Sequence, residues 1–130
     1  MKDVQEFLKS AGVYYIATID DGKPRVRPFG TAEIFEDHLY IQTGKKKDVF
    51  KQIEKNNNVE ISAFKDGKWI RISGNLIVDD RVEAKKDMLD KNPNLRGMYN
   101  ENDDNTIVLY FENAKAVIYS FTESPKVIEF

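Results

Sequence analysis

Arginines and lysines concentrate in two short segments of an otherwise slightly acidic sequence. One segment reads PRVRPFG, and the alternation of a strand places Arg25, Arg27 and Phe29 on one face and Val26 and Pro28 on the other. Two guanidinium groups this close repel each other unless water or an anion offsets their charge, and guanidinium binds phosphate and carboxylate well. The pattern predicts an anion site; an exposed edge strand with solvated arginines is the alternative.

The second basic segment reads TGKKKD and lies between a predicted strand and a predicted helix. It supplies the hydroxyl of Thr43, and Lys45, Lys46 and Lys47 stand at the start of the helix. Free amides and the helix dipole attract anions there and disfavour cations, so a bound phosphate would resolve the misfit. A solvated lysine loop is the alternative. The glycine spacing is not that of a Walker loop.

A third candidate segment, WIRISG, follows a predicted hairpin turn. Alternation puts Trp69, Arg71 and Ser73 on one face of the strand. A tryptophan at a barrel rim could stack on an aromatic ligand or pack at a subunit interface. Core packing is the alternative reading of Trp69.

Several other chemistries are excluded by the residues that the sequence lacks. There is no cysteine, so thiolate catalysis and cysteine-ligated metals are excluded. The only histidine, His38, lies beside a predicted turn with no nucleophile motif around it, and we predict no metal site. The GxGxxG pattern of dinucleotide-binding folds is absent.

Length and composition predict one globular domain, residues 1–130, with 41% hydrophobic residues and a net charge of −2. A small barrel that binds single-stranded nucleic acid is disfavoured because the chain has no overall basic field, and the same argument disfavours an anionic membrane. No apolar run approaches the roughly 20 residues of a membrane span. We therefore expect a soluble, cytoplasmic protein.

The hydrophobic pattern predicts strands that follow one another by tight turns, with helices inserted between them. A first helix, with Asp3 and Glu6 as a capping box, ends at Gly12. Two Asp-Gly pairs predict type I′ turns. The predicted strands are 13–19, 24–35, 39–43, 59–64, 69–78, 107–111 and 116–121, and the later helices are 48–55, 80–91 and a short one from Asn92-Pro93. An antiparallel barrel or sandwich is favoured over a doubly wound sheet.

The order of four segments resembles a known family. PRVRPFG, LYIQTGKKKDVFKQI, VEISAFKDGKWIRISG and AVIYSF occur in this order between about Phe7 and Lys126. Together they resemble the pyridoxamine 5′-phosphate oxidase-like, FMN-binding split-barrel superfamily, particularly its short general-stress and nitroimidazole-reductase-like members.

The resemblance implies a mainly β protein, a six- to seven-stranded antiparallel split barrel with peripheral helices. It also implies a homodimer with FMN in clefts between the subunits, where Trp69 would reach the partner's FMN. The cofactor-binding residues that it implies are Arg25, Val26, Arg27, Pro28, Phe29, Thr43, Lys46, Lys47, Trp69 and Arg71. The chain departs from the oxidases in lacking their C-terminal tryptophan-to-arginine segment, so we do not expect pyridoxamine 5′-phosphate oxidase activity.

Two functions follow from the resemblance. The first is an FMN-dependent oxidoreductase that acts on an unidentified small molecule, with the chemistry carried by the flavin. The second is a non-catalytic module that binds or senses FMN or another cofactor. The sequence leaves the substrate and the electron donor open.

Overall fold

Eight strands form one antiparallel sheet in the computed structural model, which describes residues 1–130. The predicted mainly β fold with peripheral helices is confirmed. The strands are β1 (Tyr14–Asp20), β2 (Lys23–Phe29), β3 (Glu33–Phe35), β4 (His38–Gly44), β5 (Asn58–Lys65), β6 (Lys68–Asp79), β7 (Thr106–Ser120) and β8 (Lys126–Glu129). The helices are α1 (Lys2–Ala11), α2 (Asp48–Lys55), α3 (Val82–Lys91) and the 3₁₀ helix Pro93–Gly97.

The two ends of the main strand order, β2 and β3, lie close together because they are consecutive in the chain. The strand order is β2-β1-β5-β6-β7-β4-β3, and β8 pairs with β7. Residues 30–32 join β2 to β3, and so short a link spans at most about 14 Å. The prediction of one strand over residues 24–35 was wrong, because the chain leaves β1 after Phe29 and pairs with β4 from Glu33.

Two Asp-Gly turns form as predicted. Asp21 and Gly22 have φ values of 50° and 76°, and Asp66 and Gly67 have φ values of 51° and 76°. Positive φ at both central positions is the type I′ geometry, which matches the twist of the flanking strands. These turns fix the register of the β1–β2 and β5–β6 hairpins.

The last two predicted strands are one continuous strand, β7. The predicted turn at Glu112-Asn113 is a bulge, with Asn113 at a φ of 52° and a register shift opposite residues 73–75 of β6. Pairing to β6 continues on both sides of the bulge, so the strand bends without reversing. A side chain at Gly74 would place its Cβ 3.1 Å from Ala114.

The core lies on the concave face of the sheet. Ile16, Ile61, Ile72 and Ala116 form one row across four adjacent strands, and each is fully buried. Helices α1 and α2 cover this face with their apolar stripes. Their buried residues are Val4, Leu8, Val49, Phe50 and Ile53.

Helix α1 begins without the predicted capping box. The N-cap of α1 is Met1, and Asp3 instead accepts a hydrogen bond from Lys126 at 2.7 Å. The N-cap of α3 is Arg81, which also makes no side-chain cap. Gly12, at a φ of 80°, ends α1 as predicted. No helix combines the length and apolar character that crossing a membrane requires.

Candidate functional site

An open cavity of about 310 Å³ lies where β2, β4 and the start of α2 face the segment after α3. Five of the ten cofactor-binding residues named above line it: Arg27, Pro28, Phe29, Thr43 and Lys47. The remaining lining residues are Gly30, Thr31, Gln42, Val49, Asn92, Asn94, Leu95, Met98 and Tyr99. None of the fourteen carries a carboxylate, an imidazole or a thiol, so the cavity is suited to an anion.

Arg27 brings a cation to the cavity without an acidic partner. Its guanidinium donates to the Ile16 carbonyl at 3.2 Å, to Thr18 Oγ1 at 2.7 Å and to Gln52 Oε1 at 2.6 Å. These acceptors are neutral, and Arg27 makes no salt bridge. Burial lowers the pKa of Arg27, and the nearby Asp48 carboxylate offsets part of that effect. The side chain is therefore held in one position without a carboxylate in direct contact, which favours a bound anion.

Thr43 contributes the only buried side-chain polar atom without a hydrogen-bond partner. The residue is 1% exposed and belongs to β4, whose neighbouring Gln42 donates to the Thr43 carbonyl at 3.0 Å. An unsatisfied buried hydroxyl costs about 1–3 kcal/mol. A polar ligand atom at the cavity wall would remove that cost, so Thr43 fits a ligand-binding role.

Lys47 alone among the three consecutive lysines lines the cavity. Lys45 is turned toward Asp104 at 3.6 Å, and the backbone amide of Lys46 donates to Asn105 Oδ1 at 3.1 Å. Lys47 is the N-cap of α2 and forms no salt bridge. Together with Arg27 it gives the cavity two positive charges that form no salt bridge with a carboxylate of this chain.

The link between β2 and β3 is fixed in place beside these cations. The buried Tyr14 hydroxyl donates to the Thr31 carbonyl at 2.6 Å, and Thr31 Oγ1 accepts from the Gln42 amide at 2.9 Å. Burial, partly opposed by that hydrogen bond, raises the pKa of Tyr14 well above its usual range. The phenol therefore stays protonated and acts as a donor that holds the cavity wall.

Sequence reasoning missed the opposite wall of the cavity, which is made by residues 92–99. Asn92 donates to Glu33 Oε2 at 2.9 Å, and the same oxygen accepts from Lys9 at 2.6 Å. Glu33 is buried, so this carboxylate ties the wall to α1 and β3. Met98 is 74% exposed at this wall. The Asn-Pro pattern predicted a short helix here, and only the fold shows which cavity it borders.

Three predicted residues near the cavity do not line it. Arg25 pairs with Asp20 at 3.2 Å, and Val26 is 67% exposed on the outer face of the sheet. The pairing of β1 with β2 puts Arg25 and Arg27 opposite the buried residues of β1, as the alternation predicted. Lys46 is not among the lining residues.

Trp69 and Arg71 lie on the outer face of the sheet, away from the cavity of their own chain. Trp69 stacks on Tyr119 with ring centroids 5.4 Å apart and planes at 14°, and Phe121 packs against it at 5.1 Å. Arg71 pairs with Glu60 at 3.2 Å. The core-packing reading of Trp69 was wrong, because the aromatic cluster is partly exposed.

A second polar cluster braces the fold at another place. Tyr40 donates to Asp79 Oδ2 at 2.7 Å, and Arg81 bridges Asp79 at 2.9 Å and Glu36 at 2.6 Å. The hydrogen bonds from Arg81 lower the pKa of Asp79 to about 2, in spite of burial, while burial and the neighbouring Asp79 raise the pKa of Tyr40. Every group has a partner, so this cluster is structural. No group of three or more metal-ligating side chains is present.

Comparisons with known proteins agree with this architecture. A NimC/NimA family protein from Clostridium acetobutylicum is 40% identical over 100% of this chain and 92% of its own, with a TM-score of 0.97. General Stress Protein 26 from Bacillus anthracis is 17% identical over 98% of each chain, with a TM-score of 0.73. A pyridoxamine 5′-phosphate oxidase-related, FMN-binding protein from Nostoc punctiforme is 14% identical over 99% of this chain and 94% of its own, with a TM-score of 0.68.

The last two similarities show a shared fold, and the first extends to the sequence. No curated protein matches the chain. Residues 1–92 match the sequence model described as pyridoxamine 5′-phosphate oxidase. The chain belongs to the pyridoxamine 5′-phosphate oxidase family.

Proposed function

We propose that the cavity binds FMN and that the protein is an FMN-dependent oxidoreductase acting on a small molecule. One observation carries the proposal: Arg27, Lys47 and the unpartnered Thr43 hydroxyl meet at a cavity without a carboxylate. A phosphate would neutralise the two cations, and a polar cofactor atom would satisfy the hydroxyl. Family membership and the FMN-binding relative from Nostoc punctiforme support the choice of flavin.

The residues of the chain would bind and orient the cofactor. Lys47 and Arg27 would hold the phosphate, and the backbone of Pro28 and Phe29 would lie along the ring system. Thr43 would contact the cofactor from β4. Arg25, Val26 and Lys46 lie outside the cavity lining, so the proposed site does not include them.

Bound FMN would supply the redox chemistry of the reaction, hydride or electron transfer. The lining offers no carboxylate, imidazole or thiol for proton transfer. The chain would therefore act by fixing the cofactor and by shaping access to it, with Met98 and Leu95 forming an apolar side of the opening. These residues leave the substrate open.

The outer face of the sheet, which this chain leaves uncovered, supports a homodimer. Tyr15, Val26, Phe64 and Val127 are each more than half exposed there, beside the Trp69 stack. Uncovered apolar side chains on neighbouring strands are typical of interaction surfaces. We propose that a second copy covers this face and that Trp69 and Arg71 of the partner subunit complete the FMN site.

The dimer is tested by sedimentation equilibrium of Phe64→Glu. We expect this variant to be monomeric, because a charge in an apolar interface is costly. Lys65→Glu is the control, since strand alternation directs residue 65 to the opposite face. A dimer that persists in Phe64→Glu at micromolar concentration would show that this face is not the interface.

The proposed function is tested by the visible spectrum of the purified protein and by mass spectrometry of what denaturation releases. We expect a yellow protein that releases FMN, or apoprotein that binds added FMN. Protein without flavin and without affinity for FMN would refute the proposal. Anaerobic NADH and NADPH, followed by an electron acceptor, then distinguish an oxidoreductase from a binding module, because a module would hold FMN without turnover.

A further inference from the structure

The loop that carries the three lysines is fastened to Asn105, the residue that precedes β7. The Lys45 amide donates to the Asn105 carbonyl at 2.7 Å, and the Lys46 amide donates to Asn105 Oδ1 at 3.1 Å. The regular pairing of β4 with β7 ends at Gly44 and Thr106. Asn105 therefore extends the pairing by one residue and accepts hydrogen bonds from the backbone amides of Lys45 and Lys46.

Close packing around Gly44 makes this contact possible. A Cβ at Gly44 would lie 3.1 Å from the Tyr99 hydroxyl and 3.3 Å from both Asn105 amide atoms. A side chain there would force these two neighbours to shift by a few tenths of an ångström. Glycine thus permits the Asn105 side chain to lie directly against the start of the lysine loop.

Asp103 holds Asn105 in turn. Its Oδ1 accepts from the Asn105 amide at 2.9 Å and the Thr106 amide at 2.6 Å, and its Oδ2 accepts from the Asn100 amide and the Thr106 hydroxyl, both at 2.9 Å. Burial alone raises the pKa of Asp103, but these hydrogen bonds outweigh it and lower the pKa to about 2. The carboxylate is therefore charged at ordinary pH, and Asn105 stays fixed.

The fastened loop determines which lysine faces the cavity. The Lys47 amide closes onto the Gly44 carbonyl at 3.1 Å, so residues 44–47 form one tight turn before α2. Lys45 is directed to Asp104, and Lys47 lies at the cavity. Asn105 itself does not line the cavity, so any effect it has on a ligand must pass through this turn.

We propose that Asn105 is a positioning residue that holds Lys47 against the phosphate of the cofactor, so that the site prefers FMN to riboflavin. The inference rests on the proposed function. Riboflavin lacks the phosphate and shares the ring system, so a loop that acts through Lys47 alters the binding of FMN alone. A residue with only a general structural role would alter both affinities together.

The experiment measures the dissociation constants of FMN and riboflavin by flavin fluorescence for three variants. Asn105→Ala removes the acceptor for the Lys46 amide and leaves the backbone bond to Lys45 in place. Asn105→Ser keeps a polar residue whose hydroxyl ends one bond short of that amide. Asn102→Ala is the control, since Asn102 is an exposed asparagine of the same loop whose side chain makes no hydrogen bond.

We expect both Asn105 variants to lower the preference for FMN over riboflavin about fivefold, the effect of one net hydrogen bond. Asn102→Ala should keep the wild-type ratio. Thermal unfolding shows which variants are folded, and either Asn105 variant suffices for the test. An unchanged ratio, or equal weakening for both flavins, would overturn the positioning role. Wild-type protein that binds neither flavin would overturn the proposed function and this inference with it.

Discussion

Replacing Lys47 by alanine tests the proposed phosphate site, because the structure distinguishes Lys47 from the two lysines that precede it. Lys46 and Lys47 are adjacent and chemically identical, yet only Lys47 lines the cavity. Lys47 forms no salt bridge, so its removal leaves no carboxylate without a partner. We therefore expect Lys47→Ala to change ligand affinity with little change in the stability of the apoprotein.

The size of the effect follows from the charge that the substitution removes. A unit pair 4 Å apart gains about 4 kcal/mol at an effective dielectric constant of 20, before the cost of desolvation. Hydrogen bonds to charged groups contribute about 1.5–3 kcal/mol net. The Lys47→Ala variant should therefore bind FMN roughly tenfold to 150-fold more weakly.

Isothermal titration with FMN, repeated with riboflavin and at two salt concentrations, measures this effect. Lys46→Ala is the matched control and should stay within about threefold of wild type, the range of an exposed charge. The Lys47 effect should shrink at high salt, because salt screens the phosphate interaction. Equal losses for Lys46→Ala and Lys47→Ala, or no loss in either, would refute the placement of the phosphate at Lys47.

Four further substitutions test the cavity and the polar cluster around Asp79. Arg27→Ala should weaken FMN binding by about 1.5–3 kcal/mol in the same titration. Arg25→Ala should leave FMN binding nearly unchanged, because the Arg25 guanidinium pairs with Asp20. Thr43→Val should keep or raise apoprotein stability in urea unfolding, since it removes an unpartnered hydroxyl, and should weaken FMN binding. The low pKa of Asp79 contributes stability above pH 4 that is lost as the pH falls toward 2. Urea unfolding should therefore show a deficit of roughly 2 kcal/mol for Asp79→Asn at pH 7 that narrows over this range.

Much of the fold could be predicted because local chemistry and tertiary structure agree. Helix α2 spans residues 48–55 as predicted, since its apolar residues repeat with helical spacing. Both Asp-Gly turns adopt positive φ, because few other residue pairs do so at low cost. The arginine face of β2 also follows directly from alternation.

The errors occur where sheet pairing overrides a local signal. Glu112-Asn113 has the residues of a turn, yet β6 is long enough to pair with both flanking segments, so Asn113 becomes a bulge. Asp3 has the spacing of a capping box, but Lys126 in β8 competes for its carboxylate. The pairing of β6 with both parts of β7 and the contact of β8 with α1 join residues far apart in the sequence, so neither could be predicted from local residues.

The two sides of the cavity also differ in how well the sequence predicts them. β2 and β4 carry charged residues and a hydroxyl in unusual positions, so their side of the cavity could be predicted. Residues 92–99 carry amides and apolar side chains that are common in any loop. They border the cavity because Asn92 is held by the buried Glu33, and that contact joins residues 59 positions apart.

Two side chains without a partner of their own, the Arg27 cation without a salt bridge and the buried Thr43 hydroxyl without a hydrogen bond, meet at the cavity. Buried acids elsewhere are paired, Glu33 with Lys9 and Asp79 with Arg81, so the fold neutralises charge where it can. At the cavity it leaves a cation on neutral acceptors and a buried hydroxyl without a partner, at a cost of about 1–3 kcal/mol for the hydroxyl alone. Every other buried polar atom of a side chain has a hydrogen-bond partner, so the fold itself does not explain why the Thr43 hydroxyl has none. A ligand that supplies a negative charge to Arg27 and a hydrogen bond to Thr43 explains both features, because these two side chains then stabilise the complex.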